Sequence, residues 1–241
     1  MIFNIRQSLG IATHTIQEFA YLTGAETNLF TSINDVDFSL LDENNILYGS
    51  VQDILYYLSF LNKEYEHIDY PFELHKYCKR YISQCYFKSL KQNNLSNVFC
   101  KPTKLKQFDG FILSGEFKDF IKMATVNDND LVWLSTRINL LAEYRVFIYD
   151  KQILDVKPYK GDCSLGFCKQ TVLSMIQDYK NQPVTYAIDI GVNDLGQTVL
   201  VEVNDGFSLG SYGLTPLNYG TIIVNRWREL IKDKDYVYYN R

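Results

Sequence analysis

The spacing of apolar residues along the chain predicts a few helices and many strands. Over residues 51–61, Ile54, Leu55, Leu58 and Leu61 fall three and four apart, which gathers them on one side of an α-helix. Residues 13–22 read as an earlier helix, and residues 73–90, rich in Tyr, Lys and Cys, as another. Residues 169–179 repeat the helical spacing with Val172, Leu173, Ile176 and Tyr179 on one side. A closing helix is expected over residues 216–232, with Tyr219, Ile222, Ile223, Arg226, Trp227 and Leu230 as its inner face. Thr215 stands where a capping hydroxyl is wanted, and Pro216 at the first helical position, where its missing N–H costs nothing.

Shorter apolar runs predict strands at residues 1–6 and 46–51. Residues 98–102 and 108–113 form a strand pair across the turn TKLKQ, and residues 131–135 a short buried strand. Residues 143–149 and 152–159 flank a hairpin turn at Asp150 and Lys151, and residues 184–192 and 197–205 flank another at 193–196. The polar run KQNNLSN at 91–97 marks a boundary, giving a smaller α/β domain over 1–93 and a larger one over 94–241. Strands dominate and do not alternate regularly with helices, so the class is α+β.

Composition narrows the function classes. Of 241 residues, 46% are hydrophobic and 22% charged, which provides for a sizeable core. The net charge of −4 argues against a general nucleic-acid binder. No apolar run reaches the length of a membrane helix, and the first residues do not read as a signal peptide. The five cysteines are odd in number and include no CxxC, so reduced thiols in a cytoplasmic protein are expected. His14, His67 and His75 show no metal-binding spacing.

The candidate chemistry lies in VLVEVNDGFSLGSYGL, residues 199–214. Strand alternation puts Val199, Val201 and Val203 on one face, and Thr198, Leu200, Glu202 and Asn204 on the other. On the preceding strand Asp189 interrupts a run of apolar residues, and the hairpin brings it beside Glu202. Facing carboxylates in a strand need a counter-charge, and Asp, Glu and Asn oxygens suit Mg²⁺. The alternative is a strand whose polar face meets water. Lys101, Lys157 and Arg145 are strand-borne cations that supply charges for phosphate. For each lysine the alternative is a side chain reaching solvent at a sheet edge. For Arg145 it is a salt bridge to Glu143, two residues away on the same face.

In their order, FCKPTKLKQFDGFI (99–112), LVWLS (131–135), LAEYRVFIYDKQILDVKPY (141–159), VTYAIDIGV (184–192) and VLVEVNDGFSLGSYGL resemble the ATP-grasp superfamily. The likeness is to small stand-alone members found in phage and bacterial genomes, and covers residues 95–235. It implies two α+β lobes clasping ATP, after a smaller α/β N-terminal domain. It implies that Lys101 and Lys157 contact the nucleotide, with Lys106 as a further basic contact. It places LVWLS, with Trp133 and Leu134, at the connection whose backbone receives adenine, and Glu143 near the ribose. Asp189, Glu202 and Asn204 would hold one or two Mg²⁺ ions. The implied reaction is ADP-forming ligation: a carboxylate becomes an acyl phosphate, which an amine or another nucleophile attacks. The acceptor class includes peptides and proteins, and many relatives self-associate. Ligases of this kind often carry an arginine two residues before the strand aspartate; here that residue is Ala187, and Arg145 is the substitute. Ser208, Ser211 and Tyr212 would offer hydroxyls beside the site. Two other classes stay open: a catalytically silent nucleotide-binding module, and a nucleic-acid-associated protein using the aromatic and basic residues of 75–91.

Overall fold

The computed structural model describes residues 1–7, 10–92, 97–104 and 107–232. The chain begins with β1 (Ile2–Arg6), α1 (Ile11–Leu22), β2 (Glu26–Phe30), β3 (Asn45–Tyr48) and α2 (Val51–Phe60). The strands form a parallel sheet in the order β2-β1-β3. Phe3 and Ile5 point inward because alternate residues of β1 share a face. The start of α2 is fixed by a capping box, in which Ser50 and Asp53 satisfy each other's backbone N–H groups.

A connection then leads into α3 (His75–Cys78), β4 (Ile82–Tyr86), α4 (Phe87–Gln92), β5 (Val98–Pro102), β6 (Phe111–Leu113), α5 (Phe117–Ala124) and β7 (Leu131–Thr136). Here the strands form an antiparallel sheet, ordered β4-β7-β5-β6. One face buries Cys100, Val132 and Leu134 against Phe87 and Leu90. Last come β8 (Leu140–Tyr149), β9 (Gln152–Gly161), α6 (Lys169–Asp178), β10 (Thr185–Asn193), β11 (Thr198–Asp205) and α7 (Pro216–Ile231). Their sheet is antiparallel with the order β11-β10-β8-β9. Asp150 and Lys151 have φ of 45° and 63°, the left-handed geometry that matches strand twist in a two-residue hairpin.

This last sheet separates two cores. Tyr144, Val146, Ile188, Ile190, Leu200 and Val203 face α6, where Val172, Met175 and Ile176 meet them. On the other face, Phe147 and Ala187 join a core built from the first sheet, α1, α2 and α7. Phe147 pairs with Ala187, and two residues along each strand Arg145 pairs with Asp189. That face therefore changes from apolar to charged within one cross-strand step.

Several expectations are corrected. Residues 73–90 are not one helix: a 3-10 turn (Phe72–Leu74), α3, β4 and the start of α4 divide them. The basic and aromatic residues of 75–91 therefore form no single strip, and Lys76 and Lys91 pair with Asp178 and Asp128. Strands β2 and β4 have no clear apolar rhythm; helix α5 has one, with Phe117, Phe120, Ile121 and Ala124 at helical spacing in the sequence, and is an element beyond those expected. On α6, Leu173 is 40% exposed and Met175 takes the inner place. The expected boundary at 93/94 lies among residues outside those described. Hydrogen bonding joins β4, before it, to β7, after it. Helix α7 packs on the N-terminal elements: Trp227 stacks on Tyr57 of α2 at 5.2 Å, and the Tyr219 hydroxyl lies 2.9 Å from that of Tyr48 on β3.

Candidate active site

Four charged residues stand in a row across the last sheet. Lys157 on β9 lies opposite Arg145 on β8, Arg145 opposite Asp189 on β10, and Asp189 opposite Glu202 on β11. The row exists because of a bulge. Asp189 pairs with Glu202 but Ile190 pairs with Leu200, so Val201 is an extra residue. The bulge corrects the expected alternation: Leu200 turns into the α6 core, while Glu202 and Asn204 keep the face of Asp189. Arg80 donates to the Leu200 and Val201 carbonyls at 2.6 and 2.8 Å, satisfying backbone groups that the bulge frees.

The carboxylates are tightly partnered. Arg145 grips Asp189 with two parallel hydrogen bonds, Nε to Oδ1 at 2.7 Å and Nη2 to Oδ2 at 2.6 Å. Burial pushes the Asp189 carboxyl upward against the pull of this guanidinium. Asn204 Nδ2 donates to Asp189 Oδ2 at 3.1 Å and to Glu202 Oε1 at 3.2 Å. From the neighbouring sheet, Lys101 Nζ reaches Glu202 Oε2 at 2.8 Å and Asp69 Oδ1 at 2.6 Å, and lies 4.5 Å from the Tyr70 ring centre. Burial alone would raise the Glu202 carboxyl; Lys101, Asn204 and Arg145 together hold it below its ordinary value. Burial alone would lower the Lys101 ammonium, yet Glu202, Tyr70 and Asp69 keep it well above the usual lysine range.

Arg145 is also stacked. The Tyr212 ring lies 4.6 Å from its guanidinium carbon, and the Tyr159 ring 5.9 Å. Tyr159 donates to Glu143 Oε2 at 3.0 Å, and Lys160 Nζ lies 2.5 Å from Oε1. Glu143 and Arg145 thus have other partners and form no pair with each other. Ala187 is buried in the apolar core opposite Phe147, and Arg145 stands two residues along the adjoining strand, opposite Asp189. Tyr212 has φ of 45° and is 46% exposed, so its ring is at the rim. Ser208 instead donates to the Gly49 carbonyl at 2.8 Å.

The other expected residues divide. Trp133 pairs with Lys101 across β5 and β7, so both face the last sheet, and its ring meets Tyr70 edge-on at 5.0 Å. Leu134 faces the opposite way, into a core. The segment 131–135 is the expected short buried strand: β7 is interior, paired with β4 and β5 on its two edges. Its backbone N–H and C=O groups therefore serve the sheet. Lys157 places Nζ on Asp155 at 2.9 Å, at the edge strand. Lys106 lies outside the described residues. A cavity of about 900 Å³ opens beside Lys101, lined by Trp133, Tyr70, His67, Asp69, Gln84 and Lys104. Asp69 and Arg80 were not legible as site residues, because neither carries a periodic or motif signal; Tyr159 closes the segment 141–159, but nothing in that segment sets it apart as a site residue.

Among the described residues, no cluster of three or more His, Cys, Asp or Glu side chains is arranged to hold a metal. The set Asp189, Glu202 and Asn204 still fits a hard divalent cation. One amide nitrogen touches both carboxylates, and turning that amide about would present its oxygen at the same point.

Solved structures of the same fold define the class. A D-cycloserine synthetase superposes with a TM-score of 0.62 at 12% identity, covering 94% of this chain and 100% of the other. A D-alanine–D-alanine ligase from Bacillus anthracis, complexed with ATP, gives 0.59 at 14% identity, covering 95% and 98%. The ATP-grasp ligase PsnB, complexed with a minimal precursor, gives 0.51 at 10% identity, covering 93% and 99%. The protein has the ATP-grasp fold. Within that superfamily it belongs to a family of ATP-grasp domains, family 2 of the R-two-K clade, whose model matches residues 77–222, more than half of the chain. Curated protein sequences yield no match.

Proposed function

We infer that this protein is an ATP- and Mg²⁺-dependent ligase that activates a carboxylate as an acyl phosphate and joins it to an amine or similar nucleophile. The observation that carries this reading is the meeting of Asp189, Glu202 and Asn204 from one sheet with Lys101 from the other. Carboxylates suited to a divalent cation stand next to a cation suited to phosphate.

In this reading Asp189, Glu202 and Asn204 hold Mg²⁺, which would neutralise the polyphosphate charge. Lys101 binds phosphate oxygens, and Lys157 extends the basic row at the edge strand. Glu143 and Trp133 lie toward the nucleoside. Arg145 offers its guanidinium to charge developing on the transferred phosphoryl group. A substrate carboxylate oxygen bonds to the γ-phosphorus as the bond to the ADP oxygen breaks. The acceptor nitrogen then bonds to the acyl carbon, gives up a proton, and phosphate leaves with its electron pair. The chain's residues bind, orient and exclude water, and no protein nucleophile is required. Peptide and small-molecule substrates both suit a cleft of this size.

Isothermal titration tests the reading. Wild type should bind ATP more tightly with Mg²⁺ than with EDTA, and a Glu202→Ala, Asn204→Ala variant should lose that difference. A wild type that binds no nucleotide in either buffer would overturn it.

A further inference from the structure

Asp69 belongs to no motif and lies outside the residues that the family model matches. It stands on the connection between α2 and α3, and its carboxylate is 5% exposed. Oδ1 takes the Lys101 ammonium at 2.6 Å and lies 3.3 Å from His67 Nε2. Oδ2 makes no hydrogen bond among the described residues. The Asp69 carbonyl accepts from the Val203 N–H at 2.9 Å, which fixes the side chain beside the strand bearing Glu202. A buried carboxylate with one oxygen unsatisfied costs free energy, and Lys101, which it shares with Glu202, provides its main compensation.

The charge count around Lys101 has a consequence for anions. Asp69 and Glu202 share one ammonium, that of Lys101, while Asp189 is held by Arg145, and His67 is a further neighbour of Asp69 at 3.3 Å. A polyphosphate arriving alone meets a lysine already held by two carboxylates. With a divalent cation at Glu202, Lys101 loses one of its holders.

We propose that Asp69 is a positioning residue of the nucleotide site, holding Lys101 in the nucleotide-free protein and making its release to phosphate depend on a divalent cation at Glu202. The proposal rests on the nucleotide reading above. It extends the site to a segment outside the matched family region and gives metal and nucleotide binding a mutual dependence.

The test is titration of ATP in EDTA and in Mg²⁺, on wild type and on Asp69→Asn, which keeps the side-chain shape and removes the charge. In EDTA the variant should bind ATP about tenfold more tightly than wild type, since a like charge near the phosphates is gone. In Mg²⁺ the two should agree to within about threefold, because the metal already offsets that charge. Adenosine, which carries no phosphate, should bind both equally. If Asp69→Asn does not fold, Asp69→Ser, which also removes the charge, is read in the same way. A variant that binds metal-free ATP no more tightly than wild type overturns the role of Asp69 and leaves the nucleotide reading standing. A wild type that binds ATP in neither buffer overturns both.

Discussion

At the scale of single residues, the site is a set of charges held by one another. Glu202 illustrates how this shows in solution. Its folded-state carboxyl lies below the ordinary value, so its ionised form favours the folded protein. That contribution is complete above the unfolded value of about 4.3 and fades as pH falls through the lower folded value. Urea unfolding of wild type and Glu202→Gln without metal should show a stability gap at pH 6 that closes on acidification. A gap that is constant with pH would show that Glu202 is not held ionised by Lys101. Lys101, raised above its ordinary range, adds no pH dependence near neutrality. Asp189 and Glu202 were legible in sequence because each interrupts an apolar strand. Asp69 was not, since a connection without rhythm gives no reason to single out one acid. The buried Cys100 thiol, pushed up to about 12 by burial, is poorly reactive. Among the described residues all five cysteines are free, in keeping with the expectation of reduced thiols.

At the scale of elements, legibility followed the apolar rhythm except at α5, a short helix whose rhythm spans only eight residues. Helix α2 came out on its apolar rhythm alone, and α7 with its Thr215 cap as well, because there both rhythm and capping chemistry were present. The β10–β11 hairpin came out, but its bulge did not: alternation assumes an unbroken ladder, and one inserted residue at Val201 reversed the expected face of Leu200. Strand β7 is the short buried strand that its apolar run predicts, with pairing on both edges. Helix α7 also shows how close two elements come. A Cβ added at Gly220 would lie 2.2 Å from the Phe19 ring of α1, so only a residue without a side chain allows this approach. Gly220→Val should therefore lower stability by about 1–3 kcal/mol through overpacking. A thermal melt checks this, and an unchanged midpoint would mean that α1 yields freely.

At the scale of the molecule, the site strand is tied to the far end of the described chain. Arg226 on α7 is 1% exposed and holds Asp205, at the end of β11, through bonds of 2.5 and 2.7 Å, with Glu229 at 2.6 Å. Removing one partner leaves a buried charge uncompensated, so Arg226→Met should cost about 3–5 kcal/mol. Chemical denaturation would read that loss, and a loss under about 1 kcal/mol would mean that water compensates Asp205. The α+β class was legible from the chain as a whole. The layering was not, because nothing local indicates that residues 216–231 cover the sheet formed by residues 2–48.

That layering bears on how the protein is made. The core beneath the first sheet draws Phe3, Ile5 and Ile16 together with Tyr219, Ile223 and Trp227. During synthesis at about 5–20 residues per second, the first sixty residues wait roughly ten to thirty seconds for the helix that completes their core. Over that interval their apolar side chains lack a permanent partner, so the protein reaches its native state only after nearly the whole described chain has left the ribosome.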